Sequence, residues 1–170
     1  MTQARWQLAL RAHRERHPDR LEHSRLMFVA CSESGAAASL LSAFPTAYVL
    51  QNLAGLPVGI DMGARATLEY GSLAQGVRHL VVCGHDSCLG DGDARTPEAS
   101  QDVLVARCRA LVEDLHTGPM LRRARVTMRA LWFEEISQDI YACDFEGRPA
   151  RRMEDVELAA MFASFDELFA

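Results

Sequence analysis

Several features of exported and membrane proteins are missing from this 170-residue sequence. No apolar run approaches the ~18–20 residues that a helix needs to cross a bilayer. The first residues lack the continuous apolar core of a secretory signal. No internal repeat, low-complexity tract or linker divides the chain. We therefore expect one cytoplasmic domain, residues 1–170, with no membrane partner.

Concentrated positive charge is also missing. The net charge is −5, and basic clusters are limited to Arg122–Arg123 and Arg151–Arg152. This balance argues against nucleic acid as a partner. A hydrophobic content of 49% is typical of a globular chain that buries a sizeable core.

The number of cysteines is odd. The five cysteines are Cys31, Cys83, Cys88, Cys108 and Cys143. An odd number without an export signal indicates a reducing compartment, where cysteine serves as a metal ligand, a nucleophile or a core residue. Cys83 alternates with Val82 in a predicted strand, and we expect it, like Cys108 and Cys143, to be a buried core residue.

Strands and helices alternate along the first two thirds of the chain. The predicted strands are residues 26–31, 48–50 and 80–83, with one or two more within 125–145. The predicted helices are residues 2–17, 36–44, 62–75, 97–116 and 155–169, the first and last of them amphipathic. This order predicts an α/β fold with a mostly parallel central sheet flanked by helices.

Metal-ligating side chains follow two of these predicted strands. His85 and Cys88 stand three residues apart directly after the strand at 80–83, and Cys31 ends the strand at 26–31. Ligands in parallel sheets bind outside the carboxyl ends of the strands, so we expect the three residues to meet there. Two thiolates and one imidazole with an open fourth position are typical of a catalytic zinc site.

At these residues the chain resembles the β-class carbonic anhydrases. That family carries Cys-x-Asp-x-Arg after its first strand and Gly-His-Ser/Thr-x-Cys-Gly after its third. The counterparts here are Cys31–Gly35 and Gly84–Leu89. Looser similarities are Gln51–Gly55 and Ala66–Tyr70, and the resemblance covers about residues 23–92.

The resemblance implies a fold, a cofactor and a reaction. The family has a parallel sheet, and its zinc ligands correspond to Cys31, His85 and Cys88. Zinc-bound hydroxide attacks carbon dioxide, so the reaction is reversible hydration to bicarbonate. Family members form dimers or higher homo-oligomers with the active site near the subunit interface. A residue near His23 faces the substrate in the family, which makes His23 a candidate substrate-binding residue.

The sequence departs from the family pattern beside the proposed metal. In the family, an Asp–Arg pair orients the water on the metal. Glu33 replaces the Asp and Gly35 replaces the Arg, so we expect slower hydration of carbon dioxide. Glu33 is either a catalytic proton acceptor or a fourth zinc ligand that closes the site. Asp86 is either a turn residue or a catalytic group that replaces part of the lost pair.

These departures leave three hypotheses open. The first is a zinc-dependent lyase that hydrates carbon dioxide. The second is a zinc-dependent hydrolase or lyase for a different small electrophile, which would bind in the space beside Gly35. The third is a non-catalytic zinc-binding homologue in which Glu33 completes the coordination.

Overall fold

The structure is a computed structural model, and it describes thirteen separate parts of the chain. They are residues 25–35, 44, 47–52, 62–86, 88, 99, 101–106, 108–109, 126–137, 139–143, 150–154, 157 and 160–161. The strands are β1 (Leu26–Cys31), β2 (Tyr48–Asn52), β3 (His79–His85), β4 (Thr127–Glu134), β5 (Asp139–Cys143) and β6 (Arg151–Arg152). Helix α1 spans Met62–Leu73, and residues 101–106 are also helical.

The six strands form one mixed sheet in the order β2-β1-β3-β4-β5-β6. Strands β1 to β4 are mutually parallel, whereas β5 and β6 are antiparallel to their neighbours. The connection from β4 to β5 is only residues 135–138, which is too short for the crossover that a parallel strand requires. The predicted α/β fold with a mostly parallel sheet is confirmed, with an antiparallel extension at one edge.

Strands β1 and β3 and the second half of β4 are largely buried, because apolar side chains cover both of their faces. All six residues of β1 are buried. Phe28, Val81 and Phe133 belong to the core cluster on one face of the sheet. Val82 and Trp132 belong to the cluster on the other face. This alternation between neighbouring residues is the two-residue period of a strand.

Helix α1 packs on the sheet through residues at helical spacing. Ala64, Leu68, Gly71 and Ser72 are its buried positions. They fall on one stripe of the helix, as expected for an amphipathic segment. The helix ends two residues earlier than predicted, and Gly76 follows with φ +76°, a conformation that glycine adopts readily near helix ends.

The sheet also differs in detail from the sequence prediction. Strand β3 extends to His85, so this residue ends the strand and does not lie in the turn after it. Strand β2 extends to Asn52. Pairing between β3 and β4 continues to His85↔Phe133, which holds the longer strand in place.

Three cysteines are buried as predicted. Cys83, Cys108 and Cys143 are core residues, and none is in a disulfide. Burial raises the pKa of the Cys83 thiol well above its ordinary value, with a smaller contribution from Cys108. Burial, together with the charge of Asp102, raises the pKa of Cys143 to about 12. These thiols are therefore poor nucleophiles and poor metal ligands.

Some sequence predictions fall outside the described residues. They are the helix at 2–17, nearly all of the helix at 36–44, most of the helix at 155–169, and the candidate substrate residue His23.

Among the helices that the structure describes, none has the length and apolar character needed to cross a membrane.

Candidate metal centre

The candidate centre begins where two neighbouring parallel strands end. Strands β1 and β3 pair in a register that runs to Ala30↔Cys83. Cys31 is the last residue of β1 and His85 the last of β3, and their exposed fractions are 1% and 3%. The sheet therefore brings together two ligand-bearing residues that are 54 positions apart in the sequence.

Gly84 allows the end of β3 to pack closely against its surroundings. A Cβ atom at this position would lie 2.8 Å from Cδ2 of Leu104 and 3.0 Å from Cε3 of Trp132. Both neighbours are buried core residues. A residue with any side chain here would displace one of them, next to His85.

Four potential ligand side chains converge at these strand ends. The ligand atoms of Cys31, Glu33, His85 and Cys88 all lie within 4.8 Å of one another. The Cys31 sulfur is 3.7 Å from the Cys88 sulfur and 3.8 Å from Oε2 of Glu33. The three metal ligands predicted from the sequence are thus close together, and Glu33 lies beside them.

A tight turn places Glu33 at this point. The Ser34 amide donates a hydrogen bond to the Cys31 carbonyl (3.2 Å), and the Ser32 amide donates to the Asn52 carbonyl at the end of β2 (2.9 Å). The backbone thus reverses directly after β1. Glu33 is exposed to solvent while its carboxylate reaches back to the Cys31 sulfur.

The imidazole of His85 is buried without a hydrogen bond at either nitrogen in the described part of the chain. Burying a polar atom without a partner is costly. Coordination of a metal by one ring nitrogen would remove part of that cost. Together with the Cys31 and Cys88 thiols this is a Cys₂His donor set, which suits zinc well. The residues present therefore fit a zinc ion.

Asp86 and Glu135 form a second group of side chains around His85. The Asp86 carboxylate accepts a hydrogen bond from the Glu135 amide (2.8 Å), and the Asp86 amide donates to the Phe133 carbonyl (3.2 Å). Oε1 of Glu135 is 3.5 Å from Nδ1 of His85. The ligand atoms of His85, Asp86 and Glu135 also lie within 4.8 Å of one another.

Sequence reasoning missed Glu135. The signal that could have found it is its position directly after β4, the fourth parallel strand, at the same edge of the sheet as His85. Gly35, a candidate substrate-binding residue, is exposed. A Cβ atom at this position would have no heavy atom of the described residues within 4 Å. His23 lies outside the described residues.

Comparison with known proteins identifies the class. The family profile described as carbonic anhydrase matches residues 26–130, so the chain belongs to the carbonic anhydrase family. Its fold is like that of a β-carbonic anhydrase, CcaA. A carbonic anhydrase of Synechococcus elongatus is 35% identical over 72 residues, which are 39% of this chain and 26% of that protein. The chain thus matches about a quarter of that relative's length.

Solved structures share the fold. The β-carbonic anhydrase CafA of Aspergillus fumigatus has a TM-score of 0.60 at 16% identity, covering 91% of this chain and 92% of that one. One of two tetrameric β-carbonic anhydrases from Sordaria macrospora has a TM-score of 0.54 at 20% identity, covering 79% and 90%. Likeness at these identities establishes the fold.

Proposed function

We propose that this chain is a zinc-dependent lyase of the carbonic anhydrase type that hydrates carbon dioxide reversibly to bicarbonate. The observation that carries the proposal is the convergence of Cys31, His85 and Cys88 at the ends of two buried parallel strands, in a member of this family. These three residues would hold the ion. Bound zinc lowers the pKa of water toward ~7 and so supplies hydroxide near neutral pH for attack on an electrophilic carbon.

Glu33 is the residue best placed to handle the proton. Its carboxylate lies beside the Cys31 sulfur, and the residue is exposed. It would accept the proton released when water becomes hydroxide and pass it to solvent. In this proposal Gly35 stands where the family has an arginine, so no guanidinium at that position fixes the orientation of Glu33. Slow hydration is the expected consequence.

The position of Glu33 also supports a second candidate function. Its carboxylate oxygen belongs to the same group of ligand atoms as the two thiols and the imidazole. Four protein ligands close the coordination of zinc, as in structural sites. The chain would then be a non-catalytic zinc-binding homologue.

The space beside Gly35 supports a different substrate for the same chemistry. A Cβ atom at Gly35 would have no heavy atom of the described residues within 4 Å. A small electrophile larger than carbon dioxide could occupy that space. Product formation from such a substrate, with no hydration of carbon dioxide, would favour this alternative.

We also propose that the chain forms a homodimer or a higher homo-oligomer with the site near the subunit interface. The large apolar side chains of Met62, Tyr70 and Leu73 are exposed on α1, and Ile136 is 92% exposed next to Glu135. Exposed apolar surface of this kind supports association. Sedimentation equilibrium tests the proposal, and a monomer at all concentrations would contradict it.

Stopped-flow hydration of carbon dioxide tests the proposed function directly. The protein is purified, its zinc content is measured, and Cys88→Ala is assayed beside it. We expect metal-dependent hydration above the uncatalysed rate and its loss in Cys88→Ala. No hydration at full zinc occupancy would reject the lyase proposal.

Two further variants separate the candidates. Gly35→Arg, alone or with Glu33→Asp, restores the family's residues. If hydration is slow because the pair is altered, the double variant should be faster than the native chain. In the closed-site candidate, X-ray absorption at the zinc edge would find a Glu33 oxygen in place of water, and Glu33→Gln would restore a water ligand.

A further inference from the structure

We propose that Glu135 is a positioning residue of the metal centre. Its carboxylate accepts the Nδ1 proton of His85, which leaves Nε2 unprotonated and able to bind the metal. Asp86 acts through Glu135 by holding its backbone. This inference rests on the proposed zinc site, and it assigns that site's environment beyond the three ligands.

The first support is the contact between the two side chains. Oε1 of Glu135 lies 3.5 Å from Nδ1 of His85, slightly beyond the ~3.2 Å limit of an N–H···O hydrogen bond. The His85 side chain is 3% exposed, whereas that of Glu135 is 43% exposed. The imidazole is therefore enclosed by the protein, while the Glu135 side chain approaches it from a position that solvent also reaches.

The second support is the way the Glu135 backbone is anchored. Strands β3 and β4 pair as far as His85↔Phe133. Directly beyond this pair, Asp86 donates its amide to the Phe133 carbonyl and accepts the Glu135 amide on its carboxylate. Two hydrogen bonds thus tie the residue after His85 to the end of β4 and to Glu135, which follows it. Oδ1 of Asp86 is therefore engaged in the hydrogen bond with the Glu135 backbone.

The adjacent carboxylate has other partners. Glu134 accepts a hydrogen bond from the Ser137 hydroxyl and also interacts with Tyr141. It has the same charge as Glu135 and lies one residue away in the chain. Glu134 is therefore a matched control for any general effect of negative charge near the metal.

The physical reason for such a contact lies in the imidazole. A neutral imidazole carries one proton, and only the unprotonated nitrogen can bind a metal. A carboxylate at the other nitrogen selects the correct tautomer and fixes the ring. Loss of a partner of this kind typically weakens metal affinity or activity ~10–100-fold.

Zinc affinity of the full chain tests the inference. Zinc dissociation constants are measured by competition with a chromophoric chelator for the native chain, Glu135→Ala, Glu135→Gln and Glu134→Ala. We expect ~10–100-fold weaker binding in Glu135→Ala, a smaller loss in Glu135→Gln, whose amide oxygen still accepts, and no change in Glu134→Ala. Equal affinities of Glu135→Ala and Glu134→Ala would overturn the inference.

Asp86 provides a second arm of the same experiment. We expect Asp86→Ala to weaken zinc binding, and the double variant with Glu135→Ala to be little worse than Glu135→Ala alone. Such non-additivity is expected when one residue acts through the other. Fully additive losses would overturn the assignment of Asp86. Thermal unfolding of each metal-free variant identifies any that has lost its fold.

The tautomer of His85 gives a spectroscopic readout. Long-range ¹H–¹⁵N spectra of the zinc-loaded native chain should place the ring proton on Nδ1. A proton on Nε2 would overturn the inference. The test is independent of turnover. Tight zinc binding without hydration of carbon dioxide would reject the proposed activity and leave the role of Glu135 standing. Hydration of carbon dioxide, with equal zinc affinities of Glu135→Ala and Glu134→Ala, would support the activity and reject the role of Glu135.

Discussion

The sulfur atoms of Cys31 and Cys88 lie 3.7 Å apart, although 57 residues separate the two cysteines in the chain. Cys31 is buried at the end of β1, whereas Cys88 is partly exposed. The pair therefore has one thiol that reagents can reach and one that is buried beside it. This asymmetry gives a chemical test of the centre that needs no substrate.

We predict that Ellman's reagent releases two thionitrobenzoate ions per metal-free chain. The reagent first forms a mixed disulfide on Cys88. The Cys31 thiolate then attacks the Cys88 sulfur, forms the Cys31–Cys88 disulfide and expels the second thionitrobenzoate. Buried Cys83 and Cys143, whose pKa values are raised, should not react in the folded protein.

Two controls accompany this measurement. Cys31→Ser should release one thionitrobenzoate and retain the mixed disulfide, which mass spectrometry detects. Bound zinc should slow both steps in the native chain. Rapid release of three or more equivalents from folded protein would contradict the assignment of the remaining cysteines to the core.

Gly84→Ala should destabilise the fold by ~1–3 kcal/mol, because the added methyl group overpacks the site against Leu104 and Trp132. The measurement is the free energy of unfolding in urea. Gly35→Ala is the matched control, since a Cβ there meets nothing described within 4 Å, and its effect should stay within ~0.5 kcal/mol. Equal costs at the two glycines would contradict this account of the close packing.

His79 should make the protein less stable as the pH falls. Burial, with the charges of Arg129 and Arg25, lowers the pKa of His79 below its ordinary value. The unfolded chain therefore takes up a proton first, and the free energy of unfolding decreases as the pH falls below ~6.5, until the folded protein also protonates. At higher pH both states are neutral and His79 contributes nothing.

Urea unfolding at several pH values checks this prediction. His79→Asn should lose less stability than the native chain between about pH 7 and pH 5. Arg129→Gln should give an intermediate loss, because it removes one of the two charges. Parallel pH profiles for the native chain and His79→Asn would show that His79 is not responsible.

Removal of zinc from the proposed site should lower the thermal midpoint and leave the sheet folded. The buried core of β1, β3 and β4 contains enough apolar residues to hold the strands without a metal. Zinc at ~100 times its dissociation constant should add ~2.7 kcal/mol to the free energy of unfolding. Cys88→Ala should reduce this increment, whereas Cys83→Ala should lower stability and keep the increment. Loss of the far-ultraviolet circular dichroism on chelation would contradict the prediction.

Much of this arrangement could be predicted from the sequence. Strands β1 and β3 are continuous apolar runs of the kind that a buried parallel sheet requires, and each ends in a candidate ligand. Since the carboxyl ends of parallel strands meet at one edge, the proximity of Cys31, His85 and Cys88 followed from local patterns. Glu33 was found in a different way, from the resemblance of Cys31–Gly35 to the Cys-x-Asp-x-Arg motif of the family.

The remaining features depend on contacts distant in the sequence. The length of β3 is set by its pairing with β4 as far as Phe133, and no signal around His85 reveals that partner. Glu135 was missed because its relation to His85 exists only once β4 lies beside β3. The antiparallel direction of β5 follows from the short connection after β4, which the alternating pattern of residues 125–145 did not define.

The order of synthesis adds a consequence of the β1–β3 pairing. The ribosome makes Cys31 long before His85 and Cys88, and strand β2 intervenes between them in the chain. A nascent chain that stops before His79 carries one of the three proposed ligands and lacks the strand that would present the others. We therefore expect zinc to bind only after β3 has been synthesised and has paired with β1. Zinc retention by arrested nascent chains that end before or after β3 would reveal the stage at which the metal enters.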